Sequence, residues 1–287
     1  MPVNDRTVST RFGRIAVSES TGDGFPVLLL HGSGASRKAF ARQMSSPLAE
    51  RFRLIALDLP GHGDSADASG SEAYGLPWLA GAVAAVIDAL GLSHVAVYGW
   101  SLGGHIAIEV LSFHAAIAGL MLSGAPPVSK GPLGMLRGFH TGWDMLLASK
   151  GHFSDRDVER FGKMCFGDRP PQAFLEDIRR ADGRCRTNFG RSLLRGEGAD
   201  QRRVVETAEV PIAIVNGEHE HIVRLSYLES LNYQMLWGDK CQLIAGAGHS
   251  PFWQQPERFN ALLGQFAADV ARFAANPKPA LVRASAG

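Results

Sequence analysis

The stretch Gly99-Trp100-Ser101-Leu102-Gly103 constrains the fold of this chain more than any other. The apolar run His94-Val95-Ala96-Val97-Tyr98 precedes it, and Gly104–Val110, with helix-like spacing, follows. Strand, sharp turn and helix with a serine at the tip define a nucleophile elbow. The turn is so tight that the residues two before and two after the serine must lack bulk, and Gly99 and Gly103 meet that demand. Ser101 Oγ then projects above a sheet, at a helix N-terminus whose unpaired N–H groups favour negative charge.

An elbow of this kind needs a sheet beneath it. Two short β-like segments open the chain, Thr7–Phe12 and Arg14–Glu19, with Gly13 as the hairpin turn. Val27–Leu30 and Arg53–Leu59 are continuous apolar runs, as buried parallel strands are. Leu76–Leu90 has helical apolar spacing and stops at Gly91; Ala118–Leu122 is the next strand. From Val128 to Ala208 the chain turns charged, Arg-rich and helical in pattern. Strands resume at Pro211–Val215 and Cys241–Ala245, and a helix near Pro256–Ala274 closes the series. The alternation predicts an α/β fold: a mostly parallel central sheet flanked by helices, with a helical cap inserted after the sixth strand. Residues 1–127 and 209–275 form the core, 128–208 the cap over the carboxyl ends of the strands, and 276–287 a frayed tail.

Composition narrows the function. A chain of 287 residues with 45% hydrophobic and 20% charged residues can bury one large core. A net charge of +1 steers it to neither nucleic acid nor an anionic membrane, and no apolar run is long enough to span a bilayer. The start, Met1-Pro2-Val3-Asn4-Asp5-Arg6, lacks the apolar core of a secretory signal. Cys165, Cys185 and Cys241 are odd in number and widely spaced, which argues for a reducing cytoplasm and against a disulfide framework or a zinc site. The expected partner is a small molecule. No metal or other cofactor is expected, and the oligomeric state is not legible.

A serine hydroxyl needs a neighbouring base. Among ten histidines, His249 in Ala247-Gly248-His249-Ser250-Pro251-Phe252 stands after the last strand and before the last helix, where a loop can curl over the elbow. The base needs an acid to orient it. In Gly217-Glu218-His219-Glu220-His221-Ile222-Val223, Glu220 lies three beyond Gly217 and just before an apolar pair, and is preferred to Glu218. The order Ser101, Glu220, His249 is one of the known orders of such a triad. The oxyanion hole takes one N–H from Leu102 and one from the loop His31-Gly32-Ser33-Gly34, Ser33 first and Gly34 second. His219-Glu220-His221 as metal ligands is the weaker reading, since neighbouring side chains point apart. Gly32-Ser33-Gly34 lacks the Gly-Lys-Ser/Thr ending of a phosphate loop. His62 and His105 are assigned structural places.

Taken in order, Leu30-His31-Gly32-Ser33-Gly34, Asp58-Leu59-Pro60-Gly61-His62-Gly63-Asp64-Ser65, Gly99–Gly104 and Gly248-His249 resemble the α/β-hydrolase fold family over nearly the whole chain outside the cap and tail. Gly13–Ser20, Tyr98–Ile106, Ala125-Pro126-Pro127-Val128, Phe153–Glu159 and Ile212–Gly217 are similar to the α/β-hydrolase type of N-acyl homoserine lactonase. That resemblance implies quorum-quenching chemistry: metal-free opening of a lactone ring by a Ser–His–Glu triad. Members carry asparagine where this chain has Ser33 and tyrosine where it has Phe161, both candidate substrate-bonding positions. Trp100, His31, Phe139, Trp143 and Phe161 are the candidate substrate-binding residues, with Met135, Met145, Phe153 and Phe166 further candidates to line an acyl channel. A general carboxylesterase of small or medium acyl esters, a carbon–carbon bond hydrolase of the same fold, and a non-catalytic receptor remain alternatives.

Overall fold

The computed structural model describes residues 3–70, 72–142 and 147–276. The tail from 277 to 287, Trp143 and Met145 lie outside the described residues. Eight strands form one sheet: β1 (Val3–Thr10), β2 (Gly13–Ser20), β3 (Pro26–Leu30), β4 (Arg53–Leu57), β5 (Val95–Trp100), β6 (Ile117–Ser123), β7 (Ile212–Gly217) and β8 (Gln242–Ile244). Their spatial order is β1-β2-β4-β3-β5-β6-β7-β8. β1 and β2 form an antiparallel hairpin, β2 runs antiparallel to β4, and all later pairings are parallel. The helices are α1 (Ala41–Met44), α2 (Leu48–Arg51), α3 (Leu76–Ala89), α4 (Leu102–Leu111), α5 (Pro132–Gly138), α6 (Asp155–Phe166), α7 (Gln172–Arg180), α8 (Gly183–Arg195), α9 (Gln201–Glu206), α10 (Leu225–Glu229), α11 (Pro251–Gln254) and α12 (Pro256–Ala275).

The central strands are apolar without alternation because helices cover both sheet faces. Every residue of β5, β6 and β7 is buried. β1, at the edge, is mostly exposed, and charged side chains there discourage pairing with a second sheet. Most strand ends shift by one or two residues from those read in the sequence, β1 starts four earlier at Val3, and two of the differences have a clear local cause. β1 ends at Thr10, two residues before Phe12, because Thr10 Oγ accepts from Phe12 N and donates to Gly13 O, closing the hairpin turn. β4 ends at Leu57, not Leu59. There the buried Asp58 carboxylate accepts from Arg37 N at 2.6 Å and Asp64 N at 2.8 Å, which turns the chain out of the sheet. Arg37 Nη1 also donates to Asp58 and, at 2.9 Å, to Asp64.

Helices α5–α9 lie between β6 and β7. α6 shows how they form. Ser154 and Asp157 make a reciprocal capping box at its start. Val158, Phe161, Met164 and Cys165 then fall on one buried stripe while Glu159, Arg160 and Lys163 face water.

Besides His249, three histidines are buried in this frame. Burial pushes His31 down to about 4, His62 to about 3 and His105 to about 4. These native rings stay neutral where the unfolded chain, titrating near pH 6.5, takes up protons. The unfolded state therefore binds more protons between about pH 6.5 and 4, and stability falls as pH falls through that window. We predict a urea midpoint that declines steadily from pH 7 to pH 5, at up to about 1.4 kcal/mol per group per pH unit. A midpoint constant over that range would contradict the assignment.

Candidate active site

The elbow stands where β5 meets α4. Ser101 has φ 53° and ψ −118°, a conformation that costs a non-glycine residue roughly 1–3 kcal/mol. Its N–H donates to Ser123 O at 2.8 Å, which anchors the turn to β6. A Cβ on Gly103 would sit 2.3 Å from Leu30 O, and one on Gly99 would sit 2.5 Å from Gly104 Cα. The bare backbone at Gly103 lets the elbow press on the end of β3, and that at Gly99 lets the turn close on the start of α4.

His249 lies in the loop after β8, and its Nδ1 is 2.8 Å from Glu220 Oε2. Both side chains are 1% exposed. Glu220 Oε1 accepts from Ile222 N at 2.7 Å and Val223 N at 3.3 Å. Burial pushes this carboxyl up. The charge and hydrogen bond of His249 and the two N–H groups outweigh that push and hold it below the usual range. An ionised Glu220 makes Nδ1 the donor and leaves Nε2 of His249 free to accept a proton. Glu218, by contrast, has a 54% exposed side chain and turns toward His219. His219 and His221 are exposed while Glu220 points inward.

The ring of His249 rests on Gly124, whose φ is +62° and whose added Cβ would fall 2.4 Å from His249 Cε1. Asn216 Oδ1 accepts from Gly124 N at 2.7 Å and holds that support in place. From the elbow side, Trp100 Nε1 donates to His249 O at 2.8 Å. Neither Gly124, a strand stop in the sequence, nor Asn216 was read there as part of the site; a glycine and an asparagine at strand ends carry no motif of their own.

A cavity of about 440 Å³ contains Ser101 and His249. Trp100, Leu102, Ser33, Phe139 and Phe161 line it, and Met135 does as well. Leu102 N–H and Ser33 N–H have no hydrogen-bond acceptor among the described residues, and Ser33 Oγ is buried without a partner there. Gly34 is not in the lining; it packs beside Ile178 and Phe161. His31 is also placed elsewhere. Fully buried, it accepts from Leu59 N through Nε2 at 2.9 Å, which makes its Nδ1 the donor to Gly32 O at 2.8 Å. It braces the loop rather than meeting a substrate, a correction to the sequence expectation. Phe153 packs on Phe161, and Phe166 stacks on Phe174 and against Trp100, behind the wall.

Met164, Cys165, Phe189 and Leu193 complete much of the wall and were missed. Helical spacing was the available signal, since Met164 and Cys165 follow Phe161 by three and four, and Leu193 follows Phe189 by four. His105 is in the wall too, its Nδ1 paired with Gln201 Oε1 at 2.7 Å. A second cleft of about 620 Å³ opens beside His249. Its lining includes the titratable side chains of His140, Arg160, Lys163, His219 and His221, and it shares His140, Thr141, Gly142, Met164, Ile222 and His249 with the apolar chamber. The arrangement offers a hydroxyl, an oriented imidazole and two free N–H groups around one chamber, the parts needed for acyl transfer.

Comparison with known proteins bears on the fold that carries this geometry. The family described as Alpha/beta hydrolase family matches residues 27–262. The solved structure of the N-acyl homoserine lactonase AidH in complex with N-hexanoyl homoserine is 38% identical, with a TM-score of 0.91 over 94% of this chain and 98% of that one. The AB hydrolase superfamily protein YisY of Bacillus subtilis is 29% identical over 86% of this chain and 93% of its own length. A pimeloyl-[acyl-carrier protein] methyl ester esterase of Neisseria meningitidis is 28% identical over 84% of this chain and 76% of its own.

Two substitutions probe the geometry. Glu220→Gln keeps the shape but loses the charge that orients His249, and turnover of a 4-nitrophenyl ester should fall by roughly 10³-fold or more. Gly124→Ala drives a methyl into the imidazole, and the same assay should show a loss of about 10²-fold with the circular dichroism spectrum unchanged. Full activity in either variant would remove His249 from the chemistry.

Proposed function

Because the chain belongs to the alpha/beta hydrolase family, we propose that it opens the lactone ring of N-acyl homoserine lactones with Ser101 as nucleophile, His249 as base and Glu220 as its orienting acid. The observation that carries this reading is the likeness to AidH across 94% of the chain, at a TM-score of 0.91. The apolar chamber around Ser101 supports it, because an N-acyl chain needs such a wall.

In this mechanism Ser101 Oγ attacks the lactone carbonyl while His249 Nε2 takes its proton. Glu220 stabilises the imidazolium. The oxyanion is held by the N–H groups of Leu102 and Ser33. Collapse breaks the ring C–O bond, and His249 returns the proton to the departing hydroxyl, which stays tethered to the acyl-enzyme. Water, deprotonated by the same histidine, then attacks the ester carbonyl. The bond to Ser101 breaks, Ser101 regains its proton, and N-acyl homoserine leaves. Such an activity would silence signals of this class. The two departures from the lactonase pattern, Ser33 and Phe161, both stand in the chamber wall, where they set which lactones fit.

The esterase relatives favour a second reading, a carboxylesterase of small or medium acyl esters using the same residues. Chromatography with mass detection separates the two. A lactonase converts N-acyl homoserine lactone to a product heavier by one water that closes again on acidification. Ser101→Ala should lower this turnover by about 10³-fold or more while the fold survives. Retained turnover in that variant, or no product from any acyl length, would sink the lactonase reading.

A further inference from the structure

The backbone that holds Glu220 is itself held by the α5–α9 segment. At the end of α5, Gly138-Phe139-His140 runs antiparallel to Ile222-Val223-Arg224, with Phe139 opposite Val223. Arg224 N donates to Gly138 O at 2.9 Å, and His140 N donates to Ile222 O at 2.9 Å. A side chain adds a third rung to this ribbon: Arg224 Nε donates to Phe139 O at 2.8 Å. The acceptor is a main-chain carbonyl, so the bond fixes the path of the backbone leaving α5.

The ribbon faces two ways. Ile222 N and Val223 N donate to Glu220 Oε1, while Ile222 O accepts from His140 N. Phe139 and Ile222 also line the chamber that contains Ser101. The wall beside α5 and the donors of the acid are therefore parts of one hydrogen-bonded unit. Other ties of the α5–α9 segment land far from Glu220 in sequence. Asp177 accepts from Ser36 Oγ at 2.7 Å, Asp182 from Tyr74 Oη at 2.9 Å, and Ser192 Oγ from Leu76 N at 3.0 Å. Tyr227 Oη donates to Pro127 O at 2.7 Å, ahead of α5 and outside the ribbon.

We infer that Arg224 is a positioning residue for Glu220: it latches the end of α5 onto the segment that supplies the acid's two N–H donors. The inference rests on the Ser101–His249–Glu220 reading of the site and adds a residue that acts through the acid. Arg224 does not line the chamber. Without its side-chain bond, two backbone bonds hold the ribbon, and it frays from the Arg224 end. Ile222 and Val223 then lose their fixed aim at Oε1, and Glu220 loses its fixed aim at His249 Nδ1. A small misplacement of a catalytic base slows proton transfer steeply.

The test removes the donor and keeps the length. Arg224→Met has no N–H in place of Nε, whereas Arg224→Gln sets an amide N–H at the same position along the side chain. Arg224→Ala is a second donor-free form. With 4-nitrophenyl butanoate, kcat/KM should fall about tenfold in the donor-free forms, carried by kcat, and Arg224→Gln should recover most of the loss. Tyr227→Phe, which cuts a tie outside the ribbon, should stay within about twofold of the parent. In a Glu220→Gln background Arg224→Met should cost less than about twofold, because the acid through which it acts is already disabled. An equal loss in both backgrounds, an equal loss in Tyr227→Phe, or no loss in the parent overturns the inference. The low-field resonance of the His249 Nδ1 proton, identified by its absence from His249→Gln, reads the latch with no substrate present. It should move or broaden in Arg224→Met and stay in place in Tyr227→Phe. An unchanged resonance in Arg224→Met overturns the inference. Ester turnover retained in Ser101→Ala defeats the nucleophile assignment alone, since the proton resonance still reads the latch.

Discussion

The approach of the elbow to the end of β3 is the contact on which the rest depends. Gly103 leaves no room for a methyl against Leu30 O, so the first turn of α4 and the loop after β3 share one space. That contact sets Leu102 and Ser33 in the wall of the same chamber as Ser101. The strain of Ser101 is held because its flanking strand is wholly buried and its N–H is tied to β6. The surrounding sheet over-determines a conformation that a short peptide would abandon.

A buried charge is costly unless it is fully satisfied. The Glu220 carboxylate meets that condition with three N–H donors, two of them from its own backbone turn. The carboxylate is thereby held ionised, and it fixes the tautomer of His249 with it. Trp100 extends the arrangement, since one side chain of the elbow grips the backbone of the base loop. The elbow and the loop of His249 are therefore held against each other by a neutral hydrogen bond as well as by the sheet. The Arg37–Asp58 pair plays a similar part for the loops after β3 and β4, joining them where neither is in the sheet.

Much of this was legible in the chain because it is local or ordered. The elbow is one contiguous motif, the parallel strands are continuous apolar runs, and helices α5–α9 follow β6 where the composition shifts. What escaped depends on partners distant in sequence. His31 sits in a motif-rich loop and invites a functional reading, yet its role is set by Leu59 N, 28 residues away. Gly124 and Asn216 matter only because β6 and β7 are neighbours. Periodicity shows which face of α6 or α8 is apolar; it does not show whether that face meets another helix or an empty chamber. Glu220 was separable from Glu218 by its placement alone, and the reason is a backbone turn that the sequence hints at through Gly217.

Strands β6 and β7 pair directly, Leu120 with Ile212 and Leu122 with Ile214. A parallel pair needs a crossover of only about a dozen residues. The segment that joins them here is far longer, and it carries the wall residues from Met135 to Leu194. Ser101, Glu220 and His249 all lie outside it. Most of the chamber wall and the three residues of the proposed triad thus come from separate stretches of the chain, with Ser33 among the wall residues that stay on the triad's side. Exchange of one contiguous block, with both ends landing on the same two strands, would reline most of the chamber around an unchanged Ser101.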